Sequence, residues 1–334
     1  MKVASFFAGV GGIDLGFIQN GFEIVYANEI DPIAVKTYEA NSDIKVDNRD
    51  INIVKSEEIP DFDVMVAGFP CQAFSIAGER QGFNDEKGRG ILFFELERIF
   101  NEKEPSIVFL ENVKNLTTHD NGRTFKVILE RLETAGYHVS YKVLNTMEYG
   151  NVPQNRERIY IVAFKDAEIN KNFAFPGTQV LTNKLEDVID FSTEIDAKYY
   201  YTKEKYPAYF NTGEDMPGRK TLLNLDNEIT EKNQIYQIRR GKYVRQNKKN
   251  VCPTLTANMG TGGHNVPLIL TDHGIRKLTP KECFNLQGFP EDFILPADIK
   301  DSYLYKQSGN SVSVPVIKEI ANQIKIAIEQ KETH

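Results

Sequence analysis

Pro70-Cys71 follows the apolar run Asp63–Ala67, at the point where a buried strand pattern gives way to a long loop. A thiol exposed at a strand end is a candidate nucleophile, provided that neighbouring groups help it to ionise. Cysteine is more often an inert buried side chain, and Cys252 and Cys283 take that reading. Glu111-Asn112 ends the next strand pattern and faces the same opening, which sets a carboxyl acid beside the thiol. Between them, Gln72 to Gly90 carries Gly78, Gly82, Gly88 and Gly90 among mixed charges, the composition of a loop over a site. A second group suits a nucleoside. The turn Phe7-Ala8-Gly9-Val10-Gly11-Gly12 lies between the first strand and the first helix, where glycine lets the backbone approach a ligand. It is neither G-x-G-x-x-G nor a P-loop. Glu29, at the end of the second strand, can bind a ribose diol, and Asp50, at the end of the third, can accept from an adenine amino group. Each acid alone serves equally well as a helix cap. Together they describe a nucleoside-containing cofactor.

The elements that must carry these residues alternate. Strand patterns at Lys2–Phe7, Phe22–Ala27, Ile44–Val46, Asp63–Ala67, Ser106–Leu110, Val139–Leu144 and Ile159–Phe164 interleave with helical ones at Ile13–Asn20, Ile33–Ala40, Ile91–Phe100 and Thr124–Ala135. Buried strands alternating with helices predict an α/β fold with a mainly parallel sheet, covered on both faces, and ligands beyond the strands' carboxyl ends. After about residue 175 the pattern lapses into a polar stretch. From Lys232 to Thr271 there is no acid, while Lys232, Arg239, Arg240, Lys242, Arg245, Lys248 and Lys249 all occur. That island fits a polyanion contact or a solvated loop that lacks acids, and composition does not separate the two. Pro315–Gln330 then reads as an amphipathic helix.

Across 334 residues, 40 basic side chains against 47 acidic ones give a net charge of −7, which excludes a uniformly basic nucleic-acid coat but not a local patch. There is no apolar run of membrane-spanning length and no signal-peptide core near the N-terminus. Three cysteines without a C-x-x-C pair argue against a disulfide scaffold and a zinc knuckle, so the expectation is a cytoplasmic, metal-free protein.

Six segments in order resemble the cytosine carbon-5 DNA methyltransferases, particularly the compact bacterial restriction–modification enzymes. Phe7 to Gly12 is similar to the family's cofactor turn, Gly68 to Ser75 to its Pro-Cys-Gln motif, and Glu111-Asn112-Val113 to its Glu-Asn-Val motif. Gln154 to Tyr160 is similar to the Gln-x-Arg-x-Arg segment, and Arg276–Pro290 and Tyr305–Val316 to the two C-terminal motifs. The resemblance implies a Rossmann-like S-adenosylmethionine-dependent methyltransferase fold plus a smaller target-recognition domain. A large catalytic and cofactor-binding domain would span 1–186, completed by 305–334. The recognition domain would span 187–270, with 271–304 as hinge and connecting segment.

Carried over residue by residue, the resemblance implies S-adenosylmethionine held by Phe7, Ala8, Gly9, Gly11, Gly12, Glu29, Ile30, Asp50, Ile51, Pro70 and Leu92, with Asn310, Ser311 and Val312 from the tail. Ile30 departs from members with a large aromatic there. Catalysis would fall to Cys71, Glu111 and Arg158, with Gln72 and Arg156 beside them; both arginines would favour the thiolate. Double-stranded DNA would be contacted by Ser75, Arg239, Arg240, Lys242, Arg245, Thr256 and Asn258. A cognate restriction endonuclease acting on the same sequence is the implied functional partner, and one active site on one strand suits a monomer. One branch of the family methylates transfer RNA, and a non-catalytic DNA-binding protein on the same fold is the other alternative. The basic recognition segment and the intact Cys71, Glu111 and Arg158 favour the DNA enzyme.

Overall fold

The computed structural model describes residues 1–70, 92–211, 223–247, 250–260 and 266–332. Short runs of Val, Ile, Leu, Phe and Ala suit strands covered on both sides, because no polar side chain must reach solvent. In one compact unit, residues 1–145, 157–178 and 314–334, such runs form a six-stranded sheet. Its strands are β1 (Lys2–Phe6), β2 (Glu23–Asn28), β3 (Val64–Gly68), β4 (Ile107–Val113), β5 (His138–Asn145) and β7 (Glu157–Phe164), in the spatial order β2-β1-β3-β4-β7-β5. The first four pair parallel, and β7 runs antiparallel to both β4 and β5. The sheet is therefore mainly parallel, as expected. Its order reverses between β1 and β3, which opens a crevice beyond the carboxyl ends.

The helices of this unit are α1 (Gly12–Ile18), α2 (Pro32–Glu39), α3 (Leu92–Lys103), α4 (Arg123–Thr134), α6 (Ala167–Asn172) and α10 (Val314–Glu332). On one face Ala4, Phe6, Met65, Ala67, Val108 and Leu110 meet Phe93, Leu96 and Phe100 of α3 and Ile128 and Leu132 of α4. On the other, Phe17 of α1 packs edge-on against Phe109 of β4. Gly16 admits α10: a Cβ there would lie 2.5 Å from Ile317 and 2.9 Å from the Lys318 amide, closer than packed atoms come. The strand expected at Ile44–Val46 is reduced to one bridge between Asn28 and Asp47. The amides of Ile44 and Val46 donate to Ser42 Oγ and Glu39 Oε1, so neither joins a ladder.

The second unit comprises residues 146–156 and 179–313. A four-stranded antiparallel sheet has the order β12-β11-β8-β9, from β8 (Tyr236–Arg239), β9 (Tyr243–Gln246), β11 (Leu268–Thr271) and β12 (Gly274–Lys277). A parallel pair joins β6 (Gln154–Asn155) to β10 (Cys252–Pro253). Helices α5 (Thr146–Tyr149), α7 (Leu225–Glu228), α8 (Pro280–Asn285) and α9 (Asp301–Asn310) complete it. Leu185, Cys252, Leu255 and Met259 pack with Cys283, Leu286 and Tyr305 in one core.

Candidate active site

The register of the parallel strands brings their carboxyl ends to one edge. Phe6 pairs with Asn28 and with Ala67, and Gly68 pairs with Glu111. Glu111 of β4 and Arg158 of β7 are diagonal neighbours on one face, because Glu111 pairs with Tyr160 and Val113 with Arg158. Their side chains, 10% and 12% exposed, meet with Arg158 Nε 3.2 Å from Glu111 Oε1. Arg158 Nη1 also donates to the Glu157 carbonyl at 2.8 Å, which fixes the guanidinium over the carboxylate. Such a pair presents an acceptor and planar donors side by side, the pattern needed by the edge of a heterocyclic base. Asn112 donates to the Phe69 carbonyl at 2.8 Å and accepts from the Val113 amide, so it holds the backbone that leads to Pro70. That role is not readable from sequence beyond its place in Glu-Asn-Val. Cys71, Gln72 and Ser75 lie outside the described residues.

Arg156, the other arginine of the Gln154–Tyr160 segment, is the more buried of the two. It is 2% exposed, and its guanidinium donates to main-chain carbonyls of the second unit: Nη1 to Leu255 at 2.9 Å, Nη2 to Gly309 at 3.2 Å and to Ser311. A guanidinium that donates to several carbonyls holds together the backbone segments that carry them.

Of the cofactor residues, Glu29 carries the clearest geometry. Its carboxylate accepts from the amides of Gly9 and Asp31, both at 2.8 Å, and burial raises its pKa. Phe7 has φ 53° and Gly9 φ 58°, so the chain turns sharply where β1 ends. Ile30, beside Glu29, is 58% exposed, an apolar side chain held out to solvent. Pro70 is exposed, while Ala8 and Leu92 are half-buried. Asp50 accepts from the Asn52 amide and side chain, both at Oδ1, and so does cap a turn. The Ile51 side chain is in the core, which leaves its main chain for a ligand. Gly11 and Gly12 are buried and support the turn. In the second unit Asn310 is exposed at the end of α9, with Ser311 and Val312 buried after it. A braced carboxylate, an exposed apolar side chain and a tight glycine turn at adjoining strand ends fit an adenosine-containing cofactor. Among the described residues no cluster of three His, Cys, Asp or Glu could hold a metal, and no helix is long and apolar enough to cross a membrane.

Asp14 went unnoticed in the sequence, because an acid in a first helical turn ordinarily faces solvent. Here it is buried, and accepts from Ser5 Oγ at 2.6 Å and from the Tyr38 hydroxyl at 2.7 Å. The Tyr38 ring in turn lies against Gly11, whose φ is 85°. Burial pushes the Asp14 carboxyl from 3.8 up to about 6, against the lowering effect of both hydroxyls. Between those values the native state holds a proton that the unfolded chain releases, so stability falls as pH rises through that window. The loss attributable to this group is about 3 kcal/mol, complete above its native pKa. Urea midpoints at pH 4 and pH 7 should therefore differ less in Asp14→Asn than in the native protein. Parallel curves would show that Asp14 does not titrate in the fold.

In the second unit β8 and β9 form a hairpin whose turn residues Arg240 and Gly241 have φ 55° and 63°. Arg239, Arg240, Lys242 and Arg245 are all exposed around it, as is Tyr243 at 52%. A basic tip with an aromatic suits a nucleic-acid backbone. Thr256 and Asn258 are also exposed, and the Thr256 hydroxyl donates to Asn258 Oδ1 at 2.5 Å.

Comparison with known proteins agrees with this architecture. The family model for C-5 cytosine-specific DNA methylase matches residues 1–326. The chain is 57% identical over 325 residues to the Type II methyltransferase M.Bsp6I of Bacillus sp. (strain RFL6), covering 97% of this chain and 98% of that one. It is 35% identical to the Type II methyltransferase M.HhaI of Haemophilus parahaemolyticus, covering 99% and 96%. The fold is shared with a crystal structure of a mutant Spodoptera frugiperda DNMT2, with a TM-score of 0.71 at 19% identity over 98% of this chain and 99% of the other. With the matched model running from the glycine turn to the last helix, the chain belongs to the C-5 cytosine-specific DNA methylase family.

Proposed function

We propose that this S-adenosylmethionine-dependent DNA cytosine-5 methyltransferase works through a covalent Cys71 adduct and protects host DNA in a restriction–modification system. The naming of its relatives as Type II methyltransferases supports that setting. The observation that carries the mechanism is the buried Glu111–Arg158 pair, on the strand whose Glu111 pairs with Gly68, three residues before Cys71.

The target cytosine must leave the stack, since its carbon-5 and carbon-6 are unreachable within the duplex. S-adenosylmethionine supplies an electrophilic methyl group on its sulfonium. Glu29 would bind its ribose, Phe7, Ile30, Asp50, Ile51 and Leu92 its adenine, and Asn310, Ser311 and Val312 would complete its site. An aromatic cytosine is a weak carbon nucleophile. The Cys71 thiolate adds to carbon-6, and the electron pair of the 5,6 double bond becomes available at carbon-5. Glu111 accepts from the amino group and, in its protonated form, gives its proton to the ring nitrogen as the addition builds charge there, and Arg158 donates to the ring carbonyl while holding Glu111 in place. Once carbon-5 is alkylated, loss of its proton returns the electrons and expels the thiolate.

Residues 187–270 serve as the target-recognition segment, with 271–304 connecting it to the catalytic part. Arg239, Arg240, Lys242 and Arg245 contact phosphates or guanines, Thr256 and Asn258 the groove, and Ser75 the extruded base. The enzyme acts as a monomer in the cytoplasm, alongside a restriction endonuclease of the same specificity.

Bisulfite sequencing of plasmid treated with the purified protein and S-adenosylmethionine tests the reading. Unconverted cytosines confined to one short repeated sequence are expected. Complete conversion by protein that binds the cofactor would overturn it and direct the assay to transfer RNA.

A further inference from the structure

The segment Gln154–Arg156 reaches two places that the proposed function assigns to different ligands. Leu255, which precedes Thr256 and Asn258, is held by both of its main-chain groups. Its amide donates to Gln154 Oε1 at 3.2 Å, and its carbonyl accepts from Arg156 Nη1 at 2.9 Å. The same two side chains extend to the end of α9. Arg156 Nη2 donates to the carbonyls of Gly309 and Ser311, on either side of Asn310. Gln154 Nε2 donates to Gln287 Oε1 at 3.1 Å, and Gln287 Nε2 to the Ser308 carbonyl at 2.7 Å. Gln154 and Gln287 are fully buried, and Arg156 nearly so. No solvent competes for these bonds, and each carbonyl that lost its donor would be left buried and unpaired.

The backbones also touch directly. A Cβ on Gly309 would lie 2.2 Å from the Thr256 carbonyl carbon and 2.5 Å from the Ala257 amide nitrogen. Neither segment can move at that point without displacing the other. Loop 254–258 and turn 309–312 are therefore one bonded body, with the Arg156 fork at its junction.

We propose that Arg156 is a positioning residue that couples the DNA-recognition loop to the cofactor turn, so that duplex and S-adenosylmethionine strengthen each other's binding. This rests on the assignment of Thr256 and Asn258 to DNA and of Asn310 to Val312 to the cofactor. Ordering either segment fixes the carbonyls that Arg156 spans, and the second ligand then meets a turn already ordered. Linkage requires the two ligands to raise each other's affinity by the same factor. Lysine retains the charge but offers a single donor point where the guanidinium forks, so it cannot hold Leu255 and Ser311 together.

The test uses the full-length protein, S-adenosylhomocysteine as an unreactive stand-in for the cofactor, and a duplex carrying the sequence mapped by bisulfite. Cofactor affinity is measured by calorimetry with and without duplex, and duplex affinity with and without cofactor. A common coupling factor of about 5- to 150-fold is expected in the native protein. In Arg156→Lys it should fall towards one, by at least about fivefold, while each ligand still binds alone. Hydrogen exchange on the native protein gives a second reading that needs no variant. Cofactor should slow exchange at 254–258, and duplex should slow it at 308–313. If each ligand protects its own segment but not the other, the coupling is refuted and the site assignment stands. If neither protects its own segment, the assignment itself fails. A variant that weakens both ligands equally at an unchanged coupling factor would also refute the proposal, leaving Arg156 a role in folding alone.

Discussion

Cys71→Ser protein is expected to bind S-adenosylmethionine as the native enzyme does and to methylate DNA at least about 10⁴-fold more slowly. The step that fails is the first. A thiol near neutral pH already has some thiolate and is intrinsically nucleophilic, whereas an alcohol needs a base to remove its proton as it attacks. Among the described residues at the strand edge, Glu111 is paired with Arg158 and the neutral Asn112 amide is bonded to the Phe69 carbonyl. Cofactor binding should persist because Glu29, just past the end of β2, is braced by the Gly9 and Asp31 amides and Asp50 caps its own turn, neither depending on the thiol. Three readouts separate the possibilities. Calorimetry reports the cofactor, tritiated methyl incorporation reports turnover, and a duplex with 5-fluorocytosine at the target reports the adduct. Fluorine at carbon-5 cannot leave as a proton does, so the native enzyme should remain covalently bound through denaturation and the serine variant should not. Near-native methylation by the variant would end the covalent mechanism, whatever the fluorinated duplex showed.

The parts of this site that the sequence exposed are those fixed by strand ends. Phe7, Glu29, Pro70 and Glu111 each follow an apolar run, and parallel register then aligns the ends without further information. What stayed hidden was set by partners distant in sequence. Nothing in the sequence links Arg156 to the carbonyls it donates to, which lie 99 to 155 residues away. Asp14 looks like a first-turn acid until Ser5 and Tyr38 are seen to enclose it. The missing strand at Ile44–Val46 failed for a local reason of similar kind, since the side chains of Ser42 and Glu39 claimed the amides a ladder needs. Burial partners within 187–270 were equally hidden: Cys252, Leu255 and Met259 pack into the same core as Cys283 and Leu286. Composition reports what a segment shows to solvent, and compactness is decided by what it buries.

Arg276→Met should cost about 3–5 kcal/mol of stability, the usual consequence of leaving one member of a buried ion pair without the other. Arg276 and Glu282 have side chains 1% and 9% exposed and meet through two bonds, Nη1 to Oε2 at 2.8 Å and Nη2 to Oε1 at 2.7 Å. Glu282 also closes the N-terminus of α8, accepting from the Thr279 amide at 2.7 Å while its own amide donates to the Thr279 hydroxyl. The arginine reaches further, to the carbonyls of Asp190 and Lys277. Removing it therefore strands a carboxylate and loosens segment 190 from β12 together. The charge and the cap can be separated. Glutamine at 282 can still serve the cap but carries no charge, so Arg276→Met with Glu282→Gln should recover at least half of the loss. The chain has no tryptophan, which makes far-ultraviolet circular dichroism in urea the suitable probe. If the double variant is no more stable than Arg276→Met, the loss comes from the abandoned carbonyls and not from the buried charge. Arg276 would then act in the fold as a hydrogen-bond clamp on backbone, as Arg156 does elsewhere in the same unit.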